Sequence, residues 1–119
     1  MVTSKALSSP NAETWNLSRD FGAVGQGLRI ALAACFARPG KRVSHVTADA
    51  SYMMKVADFH TAVSHDLPLT VFVFHDNAVG QERHDLIHKG LPPKYAEVVQ
   101  PDFEKLAIGF GARDYRVVA

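Results

Sequence analysis

The stretch Leu69-Thr70-Val71-Phe72-Val73-Phe74, followed at once by His75-Asp76-Asn77, decides the fold. Its six residues are apolar except Thr70 and do not alternate with polar ones, a pattern that suits a parallel strand covered on both faces. Asp66-Leu67-Pro68 ahead of it is a turn. Upstream, Val43 to Thr47 is a second short β-prone run; it contains His45 and ends in Ala48-Asp49-Ala50-Ser51. Between the two runs, Tyr52 to Ser64 reads as a helix. Val56, Phe59, Ala62 and Val63 recur at helical spacing, and Lys55, Asp58 and His60 fall elsewhere on the wheel.

Further out, Gly22 to Gly27 (GAVGQG) leads into LRIALAACFA, which is apolar nearly all round and so predicts a buried helix. Arg38-Pro39-Gly40-Lys41 stops it. Residues 80–100 are mixed, with Gly90, Pro92 and Pro93 marking a loop. Asp102 is placed to cap a helix carrying Phe103, Leu106, Ala107 and Phe110, with Gly111 as its C′ residue. Tyr115 to Val118 reads as a last strand. Residues 1–20 are polar and read as extended or poorly ordered, with Trp15 docking the arm. Helices and strands that alternate in this order mean an α/β fold with a parallel sheet flanked by helices.

The 119 residues suffice for one domain, and 47% apolar with 21% charged residues is ordinary globular composition. Net charge is +1, and the thirteen basic residues are scattered among twelve acidic ones, which argues against nucleic-acid and membrane-surface binding. The single cysteine, Cys35, lies in an apolar stretch; it excludes an internal disulfide and fits a reducing cytoplasm. The N-terminus lacks the apolar centre of a secretory signal, and the longest near-apolar run, Ile30 to Ala37, is too short to span a bilayer.

In a parallel α/β sheet, ligands bind beyond the carboxyl ends of the strands. Both strand ends here carry acids, Asp49 and Asp76. Two oxygen donors at neighbouring strand ends suit magnesium, which completes its shell with water and phosphate oxygens. Ser51 and the helix after it would offer a diphosphate donors and a favourable dipole. Strand-end acids are also common as turn residues and helix caps, and Ser51 serves equally as an N-cap. Spacing alone leaves both readings open.

Taken together, GAVGQGLRIALAACFARPGKRV, VTADASYMMKVADFHTAVSHDLPLTVFVFHDNAVG and PDFEKLAIGFGARDYRVV resemble the thiamine diphosphate (ThDP) binding domain of the acetolactate synthase and benzoylformate decarboxylase superfamily. The likeness runs from about Phe21 to Val118. That family carries a Gly-Asp-Gly-Ser motif and, about 27 residues after its Asp, a second metal-binding Asn or Asp; Asp49 and Asp76 have this interval. The resemblance implies Asp49, Asp76 and the backbone carbonyl of Ala78 as magnesium ligands. It further implies Gly22, Val24, Ala48, Ala50 and Ser51 as cofactor-binding positions, with Val24 bracing the bent cofactor. The fold it implies is the pyrophosphate-domain fold, incomplete at both ends, over residues 21–119.

The chain departs from the family pattern at Ala48 and Ala50, where the motif has glycines. Were the native φ positive, each alanine would cost about 1 kcal/mol or more; at ordinary angles the methyl groups would crowd the diphosphate instead. Asp76 stands where many relatives have Asn. The cofactor-activating glutamate of such enzymes lies in a separate pyrimidine domain, so the resemblance implies a partner chain or homo-oligomer supplying it and an isolated chain that is inactive. The activity implied is carbon–carbon lyase or transferase chemistry on a small 2-oxo acid. No nucleophile–base pair is expected on the chain, because the cofactor carries that chemistry. The rival expectation is a non-catalytic remnant kept as an interaction module or without function, and Ala48 and Ala50 are the positions that separate the two. Of the remaining candidates, His84 and His88 have a zinc-compatible spacing on a helix without a His-Glu-x-x-His pattern. His75 and Glu82 flank the metal loop, and Met53 and Met54 are expected to pack against the sheet.

Overall fold

β1 (Val43–Ala48) and β2 (Leu69–Phe74) pair in parallel, with Val43 opposite Leu69 and Ala48 opposite Phe74. Both strands therefore end at the same level, and the two acids follow directly. The computed structural model of the protein describes residues 22–117. Around the two strands it places α1 (Gln26–Ala37), α2 (Asp49–Met53), a 3-10 turn (Val56–Asp58), α3 (Phe59–Ser64), α4 (Gly80–His88), a second 3-10 turn (Pro93–Ala96) and α5 (Phe103–Gly109). The arm of residues 1–20 with Trp15, and Val118, lie outside the described residues.

The α/β class and parallel pairing agree with the sequence reading. Coverage of the sheet does not. Leu69, Val71 and Val73 pack against the buried cluster of Leu28, Leu32, Tyr52 and Ala62. Phe72 and Phe74 point to the other face and are 52% and 61% exposed. Directly opposed residues share a face, so Ser44, Val46 and Ala48 lie on that open side as well. Among the described residues, helices cover only one face of the sheet, which is why the apolar run of β2 alternates in burial.

α1 likewise buries a stripe rather than its whole circumference. Leu28, Ala31, Leu32 and Cys35 are buried at i, i+3, i+4, i+7 spacing, while Phe36 is 51% exposed. Its close seat on the sheet depends on Gly27. A Cβ there would lie 2.5 Å from His45 Cε1, on a half-buried ring whose pKa burial holds below the ordinary histidine range. Gly27→Ala must displace the His45 ring or push α1 off β1, and overpacking of this kind costs about 1–3 kcal/mol. Urea denaturation is expected to show a loss in that range; a midpoint equal to that of the wild type would refute the close-packing account.

The helix expected over Tyr52–Ser64 is broken. Lys55 sits at φ −135, ψ 18, between α2 and the Val56–Asp58 turn. In one straight helix, residues seven apart are separated by about 10.5 Å along the axis. Here the ring centroids of Tyr52 and Phe59 are 6.1 Å apart, and Phe103 stacks 6.0 Å from Tyr52. The break lets all three rings share one core, and burial pushes the Tyr52 hydroxyl pKa up to about 12. An Arg29–Asp58 ion pair of 2.6 Å ties α1 to the broken segment from outside.

The Asp102 cap is as expected: its Oδ1 accepts from Glu104 N and Lys105 N at 3.1 and 3.3 Å. Those amide hydrogen bonds, that of Lys105 foremost, hold the carboxyl below its ordinary pKa. Gly111, at φ +86, closes α5 as its C′ residue. The last strand is a correction. Residues 112–117 form no strand, and Tyr115 and Val117 are 80% and 90% exposed. α4 forms where the mixed composition gave only a loop. Leu86 and Ile87 are its only large apolar residues, so it carries no periodic stripe to read.

Candidate functional site at the strand ends

Asp49 is the first residue of α2 and is fully buried, at 0% exposure. A buried carboxylate persists only if its oxygens are satisfied. Asp49 Oδ1 accepts from Ala50 N at 2.6 Å, and Oδ2 accepts from Asp76 N at 3.2 Å and Asn77 N at 3.0 Å. The parallel register produces this arrangement: equal strand ends bring the loop after β2 onto the first residue after β1. The 27-residue interval is therefore a physical contact.

Asp76 is exposed, and its Oδ1 accepts from Ala78 N at 3.2 Å. Ala78 is buried and forms an isolated antiparallel bridge with Glu97, flanked by Val98 N to Asn77 O and Val79 N to Ala96 O, each 2.8 Å. In that pattern the N–H and C=O of the bridging residue turn away from the partner segment. The Ala78 carbonyl thus faces the side on which Asp76 lies. Asp49 and Asp76 are linked through one hydrogen-bonded loop that ends on Ala78, and their oxygens with the Ala78 carbonyl are the set that could hold a metal. Such a set suits magnesium, with water and phosphate completing the shell. No group of three or more His, Cys, Asp or Glu side chains that could hold a metal occurs among the described residues. His84 and His88 lie exposed on α4, and among the described residues no third ligand joins them.

The two alanines carry no backbone strain. Ala48 has φ −91 and ψ 158, Ala50 is helical, and the positive-φ residues other than glycine are Asp66 and Asn77. The glycines of the motif are thus not needed here for their conformational freedom. The Ala50 methyl group lies on the wall of an open cavity of about 400 Å³. Ser51 does not cap a helix; its Oγ accepts from Gly25 N at 3.1 Å, which leaves the hydroxyl proton for another acceptor. That bond draws the Gly22–Gly25 segment to the strand ends. Gly25 has φ +87, Gly22 has φ +63, and Val24 between them is 56% exposed.

The two neighbouring methionines lie elsewhere than expected. Met53 and Met54 do not pack under the sheet but line the cavity, with Met54 55% exposed. His75 stacks edge-on against Phe103 at 5.2 Å, and Glu82 is exposed in the first turn of α4. The helix expected to supply a dipole after Ser51 is only five residues long, and its first free amide is already taken by Asp49. The cavity wall Val98–Pro101 and its attachment to Asn77 carry no motif, so nothing in the sequence pointed to them.

The family model for the thiamine pyrophosphate enzyme C-terminal TPP binding domain matches residues 1–119. The acetolactate synthase 1 of Zea mays chloroplasts is 32% identical over 113 residues, covering 87% of this chain and 18% of the relative. The acetolactate synthase isozyme 3 large subunit of Escherichia coli K12 is 31% identical over 99 residues, covering 82% and 17%. A solved structure, the thiamine diphosphate-dependent 4-hydroxybenzoylformate decarboxylase of Rhodococcus jostii RHA1, superposes with a TM-score of 0.70 at 26% identity over 81% of this chain and 18% of that one. The chain thus spans less than a fifth of the length of these relatives, and it resembles them in the part that carries the strand-end acids. Among the described residues no helix is long and apolar enough to cross a membrane. By its sequence match and its fold, the chain belongs to the thiamine pyrophosphate enzymes, as their C-terminal TPP-binding domain.

Proposed function

We propose that the chain binds thiamine diphosphate together with a magnesium ion, and that it supplies the diphosphate-holding half of a 2-oxo acid decarboxylase or acetolactate synthase-like active site. The observation that carries this is the Asp49 carboxylate, fully buried and shared between the end of β1 and the loop after β2. Asp49, Asp76 and the Ala78 carbonyl hold the metal. Ser51 donates its hydroxyl to a diphosphate oxygen, and the Gly22–Gly25 segment with Val24 braces the cofactor. Bound there, thiamine diphosphate supplies the carbanion chemistry on which carbon–carbon bond cleavage or formation depends. The chain's own contribution is to bind and orient. A glutamate-bearing pyrimidine domain, from a partner chain or a homo-oligomer, completes the site for a small 2-oxo acid.

Calorimetric titration of thiamine diphosphate with and without magnesium tests this reading. Binding is expected only with the metal. Asp76→Ala is expected to abolish it while lowering stability by no more than the net worth of one hydrogen bond, about 0.5–1.5 kcal/mol, because the side chain is exposed and accepts only from Ala78 N. Absence of binding to the wild-type chain at millimolar cofactor, or undiminished binding to Asp76→Ala, would sink the proposal.

A further inference from the structure

The cavity beside the strand ends has two walls of different origin. Ala50, Met53 and Met54 form one, on and just after α2; Val98, Val99 and Pro101 form the other, on a segment with no regular structure. Such a segment has no ladder of its own to hold it. It follows the Ala78–Glu97 bridge, and beyond that bridge, among the described residues, Asn77 holds its amides. Asn77 O accepts from Val98 N at 2.8 Å, and Asn77 Oδ1 accepts from Gln100 N at 3.3 Å. The Asn77 N–H in turn donates to Asp49 Oδ2 at 3.0 Å. Asn77 can face three ways because it sits at φ +57, a left-handed conformation that asparagine tolerates better than most residues. Between the two held amides, Val99 projects into solvent at 96% exposure, and Val98 is 40% exposed. Apolar side chains held outward at a cavity lip gain nothing for the fold. They gain contact only when something apolar lies against them.

We propose that Asn77 is a positioning residue that fixes the far wall of this cavity to the Asp49 carboxylate, so that the wall is set by Oδ2 of the acid that joins the two strand ends. The wall carries no charged side chain, so the ligand portion it closes over is apolar and uncharged. The inference rests on the thiamine diphosphate reading only for the identity of what occupies the strand ends; the attachment of the wall is a property of the chain itself. A change at Asp49 reaches Val98–Gln100 through one residue and three hydrogen bonds.

The test is amide hydrogen exchange at Val98 and Gln100, followed by NMR in the full chain. It compares wild type, Asn77→Gly and Asn77→Asp, each alone and with magnesium thiamine diphosphate, with calorimetry in parallel. Glycine keeps the left-handed conformation and the main-chain bond to Val98 but removes the side-chain acceptor; aspartate restores that acceptor. In the free protein, Asn77→Gly is expected to speed Gln100 exchange about 5-fold, the equivalent of one lost net hydrogen bond, with Val98 little changed and Asn77→Asp close to wild type. With the cofactor bound, Gln100 is expected to slow further in wild type and Asn77→Asp and not in Asn77→Gly. Unchanged Gln100 exchange in free Asn77→Gly, or cofactor binding that leaves Val98 and Gln100 untouched in wild type, overturns the proposal. If calorimetry shows no cofactor binding, the cofactor reading falls, and the free-protein comparison still decides the role of Asn77.

Discussion

Asp49→Ala is expected to lose about 3 kcal/mol or more of stability and all magnesium-dependent cofactor binding. The stability loss has a specific cause. Three backbone amides, those of Ala50, Asp76 and Asn77, end on this one carboxylate, which is fully buried. A donor left without its acceptor in the interior costs about 1–3 kcal/mol. Water entering the space vacated by the carboxylate can offset part of the total, so the sum of three full penalties is an upper bound. Asp49→Asn is expected to fall between the two, because its amide keeps one oxygen acceptor but turns an N–H₂ group toward an N–H donor. Urea denaturation measures the loss. An Asp49→Ala protein within 1 kcal/mol of wild type would show that the carboxylate does not hold the two strand ends together. Comparison with Asp76→Ala separates folding from metal binding, since both substitutions remove a proposed ligand and only one removes a buried hub.

Those two acids were legible in the sequence because two independent signals converge on them. Strand-end placement follows from the β-prone run Val43–Thr47 and the apolar run Leu69–Phe74, and the interval matches a family motif. The Asp102 cap and Gly111 were legible for a local reason: both act within one turn of their own helix. What escaped depends on tertiary contact. The break at Lys55 has no proline or glycine to announce it and is driven by the packing of Tyr52, Phe59 and Phe103, which come together only in the folded chain. Among the described residues the sheet is covered on one side, and this escaped because an apolar run reads the same whether or not a second layer is present. Ala48 and Ala50 posed a question that composition could not answer and dihedral angles did: ordinary angles mean that alanine is tolerated by the backbone. Asn77 escaped altogether. Its role lies in a left-handed φ and in two bonds to residues more than twenty positions away, neither of which leaves a pattern in sequence.

Gly25→Ala is the second substitution expected to act strongly, and it connects the start of α1 to the site. Gly25 is buried at φ +87, in a region that costs a residue with a Cβ about 1–2 kcal/mol. The space is also taken. An added Cβ would lie 2.9 Å from Lys55 Cγ, 3.0 Å from the Ser51 carbonyl oxygen and 3.3 Å from Met54 Cβ. Lys55 can swing aside at small cost, but the Ser51 carbonyl belongs to α2 and can move only with the segment that carries Asp49. Overpacking against backbone adds about 1–3 kcal/mol, so the expected total is about 2–5 kcal/mol. The same displacement pulls Gly25 N away from Ser51 Oγ, the bond that draws Gly22 and Val24 to the strand ends. Cofactor affinity is therefore expected to fall further than at Gly22→Ala, where the φ is also positive but no atom lies within 4 Å of an added Cβ. Denaturation midpoints and calorimetric affinities of the two variants, measured side by side, check this ordering; equal losses at both positions would mean that conformation alone, and not the contact with Ser51, makes glycine necessary at Gly25.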